Sequence, residues 1–281
     1  GAGNAIWING GVLAQGVEYY VPSGSVGTPG VQMTGGAWIG GDCRLDGNGG
    51  SKPSAYITIN ATNTTALITA TIHFWQGGTL NLDVSGGSVT GGLYPGVDLE
   101  YTGTLLNNFG GSANPSHVTK TGAGLLEVAG NLAMDNAGTL TNSAGTVRIG
   151  GAGWIAGGSY SGSIVNTAAL VFNTTANQTL SGILSGGGTL TKLNSGTLTV
   201  SGANAQTGPT TVNSGTLTLE YGAQNNSKLA DLAPLTLGGG TVSLSGGGHV
   251  EAVGSTVLSA GGSAVSRASG ASILALGLIS R

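Results

Sequence analysis

Two acidic residues have a spacing that could support catalysis. Asp98 and Glu100 are separated by a single residue, so both side chains lie on one face if this segment is a strand. Glycan-degrading enzymes use such paired carboxylates as general acid and base. The other acidic residues are dispersed along the chain, which favours the alternative of a solvated strand face beside a Gly turn.

A second group of oxygen-bearing side chains could bind a cation. Asp42, Asp46 and Asn48 stand within nine residues that also contain three glycines, and their oxygens are of the kind that Ca²⁺ prefers. The run lacks the acidic residue that closes an EF-hand loop, and it does not repeat as calcium-binding nonapeptides do. We therefore expect a Gly-rich turn, with these three residues as weak metal candidates.

No other metal site and no cofactor site is expected. The three histidines are isolated from one another, and Cys43 is the single cysteine, which we interpret as a buried small apolar residue. Tryptophans could stack on sugars if they were exposed, although partial burial at the edge of a core is their more frequent role in sheet proteins. The four tryptophans are Trp7, Trp38, Trp75 and Trp154.

Charge and hydropathy exclude two classes of partner. The formal net charge is −3, and the 8 Lys and Arg residues are scattered rather than clustered, so nucleic-acid binding is not expected. No apolar run approaches the length of a membrane-spanning helix, and we expect no membrane insertion. The longest run, residues 271–279, contains a glycine and predicts a buried strand.

The elements that must position these residues are short strands in a repeating pattern. The phrase at 196–200, Gly-Thr-Leu-Thr-Val, returns at 215–219 as Gly-Thr-Leu-Thr-Leu. A period of about 20 residues made of strands and Gly or Asn corners indicates a β-solenoid, in which each turn packs on its neighbours. The predicted strands are 55–60, 66–74, 79–84, 124–128, 138–141, 146–149, 169–172, 189–192, 197–200, 210–212, 216–219, 241–244, 250–253, 255–258 and 272–276.

The chain is expected to form one continuous domain. Residues 1–60 are richer in aromatic residues and proline than the rest, and we expect them to form either irregular turns of the solenoid or a cap over its end. Residues 61–281 are expected to form regular β-helix turns. The chain begins without Met, and we expect it to be a piece of a longer protein.

Residues 186–219 resemble the autotransporter-associated β-strand repeat, also called the passenger-associated transport repeat. The departures from the family pattern are Asn194, Gln206 and Pro209. Residues 118–131 match the same pattern less closely. Within residues 186–219, the residues that match the family pattern are Gly186, Gly188, Leu190, Thr191, Lys192, Gly196, Thr197, Leu198, Thr199, Ser201, Gly202, Asn204, Gly208, Thr210, Val212, Gly215 and Leu217.

This resemblance implies an all-β, right-handed parallel β-helix, with roughly a dozen turns for a chain of this length. It also implies secretion to, or beyond, the outer membrane of a bacterium, and it transfers no catalytic residue. The leading expectation is a non-enzymatic stalk, fibre or filament that self-associates end to end. The alternatives are an adhesin that binds glycans and, third, a polysaccharide-degrading enzyme that uses Asp98 and Glu100.

Overall fold

The structure is a computed structural model. It describes residues 6–14, 19–22, 24–25, 28–46, 54–75, 77–90, 94–109 and 115–281. The chain divides into two compact units, residues 1–148 and 149–281. Nearly all of the regular structure is strand, and among the described residues no helix is both long enough and apolar enough to cross a membrane.

Unit 1 is built from short strands that form three parallel sheets. The first sheet has the order β1-β6-β9-β12-β15-β18, the second β2-β7-β10-β13-β16 and the third β3-β8-β11-β14-β17, while β4 and β5 form a small antiparallel pair. The strands are β1 Ile6–Asn9, β2 Val12–Ala14, β3 Tyr19–Pro22, β4 Gly24–Ser25, β5 Thr28–Pro29, β6 Val31–Thr34, β7 Ala37–Ile39, β8 Asp42–Asp46, β9 Ala55–Ile59, β10 Ala66–Ile68, β11 Thr71–Trp75, β12 Thr79–Val84, β13 Leu99–Tyr101, β14 Thr104–Phe109, β15 His117–Thr121, β16 Leu125–Val128, β17 Asn131–Ala133, β18 Thr139–Asn142 and β19 Thr146–Gly151, the last of which spans the division.

Unit 2 repeats the same plan. Its sheets have the orders β22-β25-β28, β23-β26-β29-β31-β34-β37 and β21-β24-β27-β30-β32-β35, with β33-β36 as a further pair. The elements are β20 Trp154–Ile155, a 3₁₀ turn Ala156–Gly158, β21 Ser159–Tyr160, β22 Ser163–Asn166, β23 Ala169–Thr174, β24 Gln178–Leu180, β25 Leu184–Gly186, β26 Thr189–Lys192, β27 Thr197–Val200, β28 Ala205–Gln206, β29 Thr210–Val212, β30 Thr216–Glu220, β31 Pro234–Leu237, β32 Thr241–Ser245, β33 Val250–Ala252, β34 Ser255–Leu258, β35 Ala264–Arg267, β36 Ile273–Ala275 and β37 Leu278–Ser280.

The core of each unit consists of ladders of apolar side chains. In unit 2, Leu198 pairs with Leu217, which pairs with Val242 on the next turn, and all three are buried. Thr197 and Thr216 occupy the alternate, outward positions of the same strands. This alternation follows from the pleat of a strand, which directs successive side chains to opposite faces. The prediction of a parallel β-solenoid is confirmed, with about ten turns in the chain.

Several strands lie where the sequence pattern predicts them. The bounds agree in full at Thr79–Val84, Thr189–Lys192 and Ser255–Leu258. The prediction of one strand over residues 66–74 is wrong, because Ala66–Ile68 and Thr71–Trp75 belong to different sheets. The chain turns a corner between these strands, so the run of apolar residues serves two sheets in succession.

The prediction of a buried strand over residues 271–279 is also wrong. The segment contains two strands, Ile273–Ala275 and Leu278–Ser280, which pair with the preceding turn on one side. Ile273, Leu278 and Ile279 are exposed. A strand of a solenoid is buried by neighbours on both sides, and within this chain the last turn has a neighbour on one side only.

Some corners require glycine because the backbones of successive turns almost touch. A Cβ atom at Gly202 would collide with the carbonyl oxygen of Gly182 on the preceding turn, and a Cβ at Gly182 would collide with that of Gly162. These three glycines form a stack in which no side chain can be accommodated without moving the backbone. The corner composition is therefore dictated by the spacing of turns, about 4.8 Å.

We expect Gly202→Ala to lower the free energy of unfolding by about 2–4 kcal/mol, because the added methyl group forces stacked turns apart. The matched control is Gly262→Ala, since a Cβ at Gly262 meets no atom within 4 Å. Urea unfolding followed by circular dichroism measures both variants. Equal unfolding midpoints for the two variants would contradict the close-approach explanation.

Candidate functional site

Asp98 holds the backbone of two turns of unit 1 together. Its Oδ1 atom accepts a hydrogen bond from the Gly87 amide at 2.7 Å, and its Oδ2 atom accepts one from the Leu125 amide at 2.8 Å. Both carboxylate oxygens are thus occupied by amide donors from a neighbouring corner and a neighbouring strand. Asp98 is buried, so the expectation of a solvated strand face is wrong at this residue.

Glu100 belongs to a separate cluster on the outer side of the second sheet. It is in register with Leu67 on one neighbouring strand and with Glu127 on the other. The Glu127 carboxylate forms an ion pair with Arg148, whereas the Glu100 carboxylate lies beside the Tyr94 hydroxyl. The Oε2 atom of Glu100 is buried and has no hydrogen-bond donor among the described residues.

The surroundings of Glu100 favour its protonated form. Burial, and then the negative charge of Glu127, raise the pKa of the Glu100 carboxyl to about 6, against smaller opposing effects of Tyr94 and Arg148. A raised pKa beside a second carboxylate is a property of acid–base pairs in enzymes. However, Glu100 is only 3% exposed and Glu127 only 7%, which leaves no room for a sugar ring between them. The solvated-face interpretation is therefore wrong for Glu100 as well.

The calcium candidates are only partly within the described residues. Asp42 and Asp46 are the first and last residues of one extended strand, β8. The Asp42 carboxylate lies 3.7 Å from Nε2 of His73 on the adjacent strand. Asn48 and the side chain of Asp46 lie outside the described residues, so this site stays a prediction. Among the residues that the structure describes, no group of three or more His, Cys, Asp or Glu side chains is placed to hold a metal ion.

The tryptophans do not share one environment. Trp38 lies in the core of unit 1, whereas Trp7 is 74% exposed and Trp154 in unit 2 is partly exposed. The side chain of Trp75 is outside the described residues. Cys43 is buried as predicted, and burial raises the pKa of its thiol to about 12, so this thiol is unreactive at neutral pH.

Sequence reasoning missed the most unusual polar groups of the chain, which are three buried lysines. The Lys120 ammonium donates hydrogen bonds to the carbonyl oxygens of Gly122 and Gly124, each at 2.6 Å, and to that of Ala144 at 2.7 Å. Ala144 belongs to the following turn, which begins to pair with β15 at Leu140. One side chain therefore closes a corner and ties it to the next corner.

In unit 2, Lys228 also ties two turns together, whereas Lys192 closes its own corner. The Lys192 ammonium donates to the carbonyl oxygens of Leu193 at 2.5 Å and Asn194 at 2.8 Å. The Lys228 ammonium reaches back to the preceding turn, where it donates to Gly202 O at 2.8 Å. Burial lowers the pKa of Lys120 and of Lys192 to about 8 and lowers that of Lys228 as well. The signal for burial was present in the alternation, because Lys120 and Lys192 occupy inward positions of their strands.

A buried carboxylate complements Lys228. Glu251 is fully buried, and its Oε2 atom accepts hydrogen bonds from the Tyr221 hydroxyl and the Lys228 amide, both at 2.7 Å. Its Oε1 atom accepts one from the Leu229 amide at 3.0 Å. The Glu251 carboxylate thus accepts hydrogen bonds from backbone amides, just as the lysine ammonium groups donate hydrogen bonds to backbone carbonyl oxygens. In each of these cases a buried charge is used to hold the corners of the solenoid.

We expect Lys120→Met to lower the free energy of unfolding by about 2–4 kcal/mol, because it removes three hydrogen bonds between a buried ammonium and the carbonyl oxygens of two corners. Thermal unfolding followed by circular dichroism measures the loss. Arg267→Met serves as the control, because Arg267 is exposed, and this change should stay within about 0.5 kcal/mol of the parent. Equal stability of the two variants would show that the ammonium is dispensable.

Glu100 generates a prediction about pH. Its folded-state pKa is raised to about 6, so the folded chain binds the proton more tightly than the unfolded chain. Proton binding by Glu100 therefore stabilises the folded chain. This contribution to the free energy of unfolding is complete below about pH 4 and is lost as the pH rises through 6. Glu100→Gln, which stays neutral, should therefore be more stable than the parent by about 1 kcal/mol at pH 7.5 and equal to it at pH 4.

Urea unfolding at the two pH values measures this difference. The exposed Asp231→Asn change serves as the control and should give the same small difference at both pH values. A Glu100→Gln variant that is less stable than the parent at pH 7.5 would contradict the inference that the pKa of the buried Glu100 carboxyl is raised.

Comparisons with known proteins agree with the architecture. Residues 190–219 match the passenger-associated-transport-repeat family model. The chain is 31% identical, over 288 aligned residues, to the Adhesin BmaC autotransporter of Brucella suis biovar 1 (strain 1330); the match covers 87% of this chain and 8% of the adhesin. No solved structure is matched. Together with the parallel solenoid, these matches show that the chain is an autotransporter-type passenger β-solenoid, secreted or displayed on the outer-membrane cell surface.

Proposed function

We propose that this chain is a stalk segment of a surface passenger, which extends the passenger by stacking interchangeable turns. The observation that carries the proposal is the use of buried charge. Asp98, Lys120, Lys228 and Glu251 each bind backbone groups of a neighbouring turn, and Lys192 binds two carbonyl oxygens of its own corner. Groups committed to the backbone in this way serve the scaffold, which supports the structural, non-enzymatic role proposed for the chain.

The repeated register supports interchangeability of turns. Residues 194–197 read Asn-Ser-Gly-Thr, and residues 213–216 read the same. Thr197 and Thr216 are in register on adjacent strands, so the two segments occupy equivalent places in successive turns. A turn of this kind depends mainly on its nearest neighbours, which is the property that lets repeat proteins vary in length.

End-to-end self-association belongs to the same proposal. In the last turn of unit 2, strands β35, β36 and β37 each pair on one side. Their exposed apolar side chains include Val265 and Ile273. Such an edge offers backbone groups and an apolar surface that a further turn can cover, whether that turn belongs to the same polypeptide or to a second copy. Sedimentation that stays monomeric at high concentration would count against this part of the proposal.

An adhesin is the second candidate function. The relative described above is named an adhesin, and that name belongs to a protein of which this chain spans 8%. Trp7, which is largely exposed on the first strand of unit 1, is a side chain suited to contact with a partner. This candidate requires a binding surface, whereas the stalk requires only stable turns.

A turn deletion tests the stalk proposal. Removing residues 197–215 joins Asn194-Ser-Gly to Thr216 and reproduces an existing corner. Ser181 and Gly182 of the preceding turn then replace Ser201 and Gly202 opposite Lys228. We expect a folded chain with one unfolding transition and a melting temperature lowered by only a few degrees.

The matched control removes residues 197–210, which is less than one turn and shifts every following strand out of register. We expect this variant to aggregate or to unfold without cooperativity. Circular dichroism and sedimentation measure both variants. If the full-turn deletion is as damaged as the partial one, the turns are not interchangeable, and the stalk proposal fails.

A further inference from the structure

Unit 1 has an open groove on its outer surface, where the first sheet turns into the second. The groove crosses three successive turns and has a volume of about 240 Å³. Gly10 and Gly11 contribute from the first of these turns, Gly36 from the second and Thr64 from the third, and Tyr94 forms one side. This volume is close to the lower end of the range for small-molecule sites.

The groove is lined partly by the backbone of Gly10 and Gly11 and partly by the apolar side chains of Val12, Ala37 and Leu67. A Cβ atom placed on Gly10 or Gly11 would meet no atom within 4 Å, so none of the described residues fills the space above these two glycines. By contrast, a Cβ on Gly36 would collide with the carbonyl oxygen of Gly11, so Gly36 is required for the packing of the two turns. Packing therefore explains Gly36, and a left-handed backbone with a φ of 67° explains Gly10. Neither reason applies to Gly11, where the absence of a side chain leaves the groove open.

The wall formed by Tyr94 is held in place from two directions. The Thr65 hydroxyl donates a hydrogen bond to the Tyr94 carbonyl oxygen at 3.1 Å. The Tyr94 hydroxyl lies beside the buried Glu100 carboxylate and interacts with it electrostatically. The ring is nevertheless 37% exposed. A ring that is anchored at its hydroxyl and at its backbone presents a rigid aromatic surface, which lowers the entropic cost of binding against it.

The chemistry of the groove selects a neutral, hydroxylated ligand. Among the described residues that line it, none is charged, so phosphate, sulfate and carboxylate groups find no counter-charge there. Tyr94, Val12, Ala37 and Leu67 offer an aromatic and apolar surface, and Thr64 and Thr65 contribute hydroxyls beside the glycine backbone. A sugar ring matches this combination, because its C–H face packs on an aromatic ring and its hydroxyls donate to and accept from hydroxyl and backbone groups.

Polar side chains continue from the groove onto the first sheet. Asn9 pairs with Thr34 on the next strand, and the Asn60 side-chain amide donates to the Thr34 hydroxyl at 2.9 Å. These three residues lie at or just beyond the ends of the strands that lead into the groove. A linear glycan longer than one sugar would therefore meet further hydroxyl and amide groups as it leaves the groove.

We propose that this groove is a binding site for a neutral glycan, with one sugar ring packed on Tyr94 above Gly10 and Gly11. The proposal deepens the adhesin candidate and rests on it, while it is independent of the stalk role. The occupant is identified by its chemistry as a neutral hexose or N-acetylhexosamine unit of an oligosaccharide.

The test uses the full chain on an array of neutral oligosaccharides built from glucose, galactose, mannose and N-acetylhexosamines, with sulfated oligosaccharides as the charged comparison. We expect binding to at least one neutral glycan and none to the sulfated set. Gly11→Leu, which fills the groove, should weaken that binding at least tenfold, as measured by calorimetry with the bound oligosaccharide. Tyr94→Ala should weaken it to a similar extent.

The matched control is Gly248→Leu in unit 2, because a Cβ at Gly248 also meets no atom within 4 Å. It should bind as the parent does, and all variants should keep the parent melting temperature within a few degrees. Neutral-glycan binding that survives Gly11→Leu would overturn the groove while leaving an adhesin role elsewhere on the chain. An array without any neutral-glycan binding would overturn both the groove and glycan adhesion, and the stalk proposal would stand.

Discussion

The structure depends on one constraint, which is that every turn must hydrogen-bond along its backbone to the turns on either side. This requirement fixes the distance between turns at about 4.8 Å, and a side chain therefore has an equivalent neighbour directly above and below it. Inward positions become apolar ladders such as Leu198, Leu217 and Val242. At the corners, the backbones approach so closely that glycine is required, as at Gly182 and Gly202.

Corners also leave carbonyl and amide groups without partners in the sheets, and the chain satisfies them with buried charge. Lys120 binds three carbonyl oxygens of two turns, and Glu251 accepts two amides and a tyrosine hydroxyl. A buried charge is tolerated when its hydrogen bonds are complete. This use explains why a chain with only 7% charged residues places several of them in its interior.

Much of the architecture could be predicted from the sequence, whereas the site could not. Alternation of polar residues with Leu or Val predicts strands such as Thr79–Val84, because one face of each strand is buried. Glu100 interacts with Tyr94, which lies on the long connection between β12 and β13, and no local sequence pattern indicates which strand such a connection approaches. The groove likewise arises only when Gly11, Gly36 and Thr64 are brought together from three turns.

The burial of the lysines also bears on how the protein survives outside the cell. A protease that cleaves after lysine needs that side chain and its flanking backbone to enter the enzyme's own specificity pocket in an extended form. Lys120, Lys192 and Lys228 are fully enclosed, so they become substrates only when a turn opens. The rate of digestion after these lysines is then governed by the equilibrium between closed and open turns. The lysines that stabilise the corners therefore also keep their own cleavage sites inaccessible to the protease.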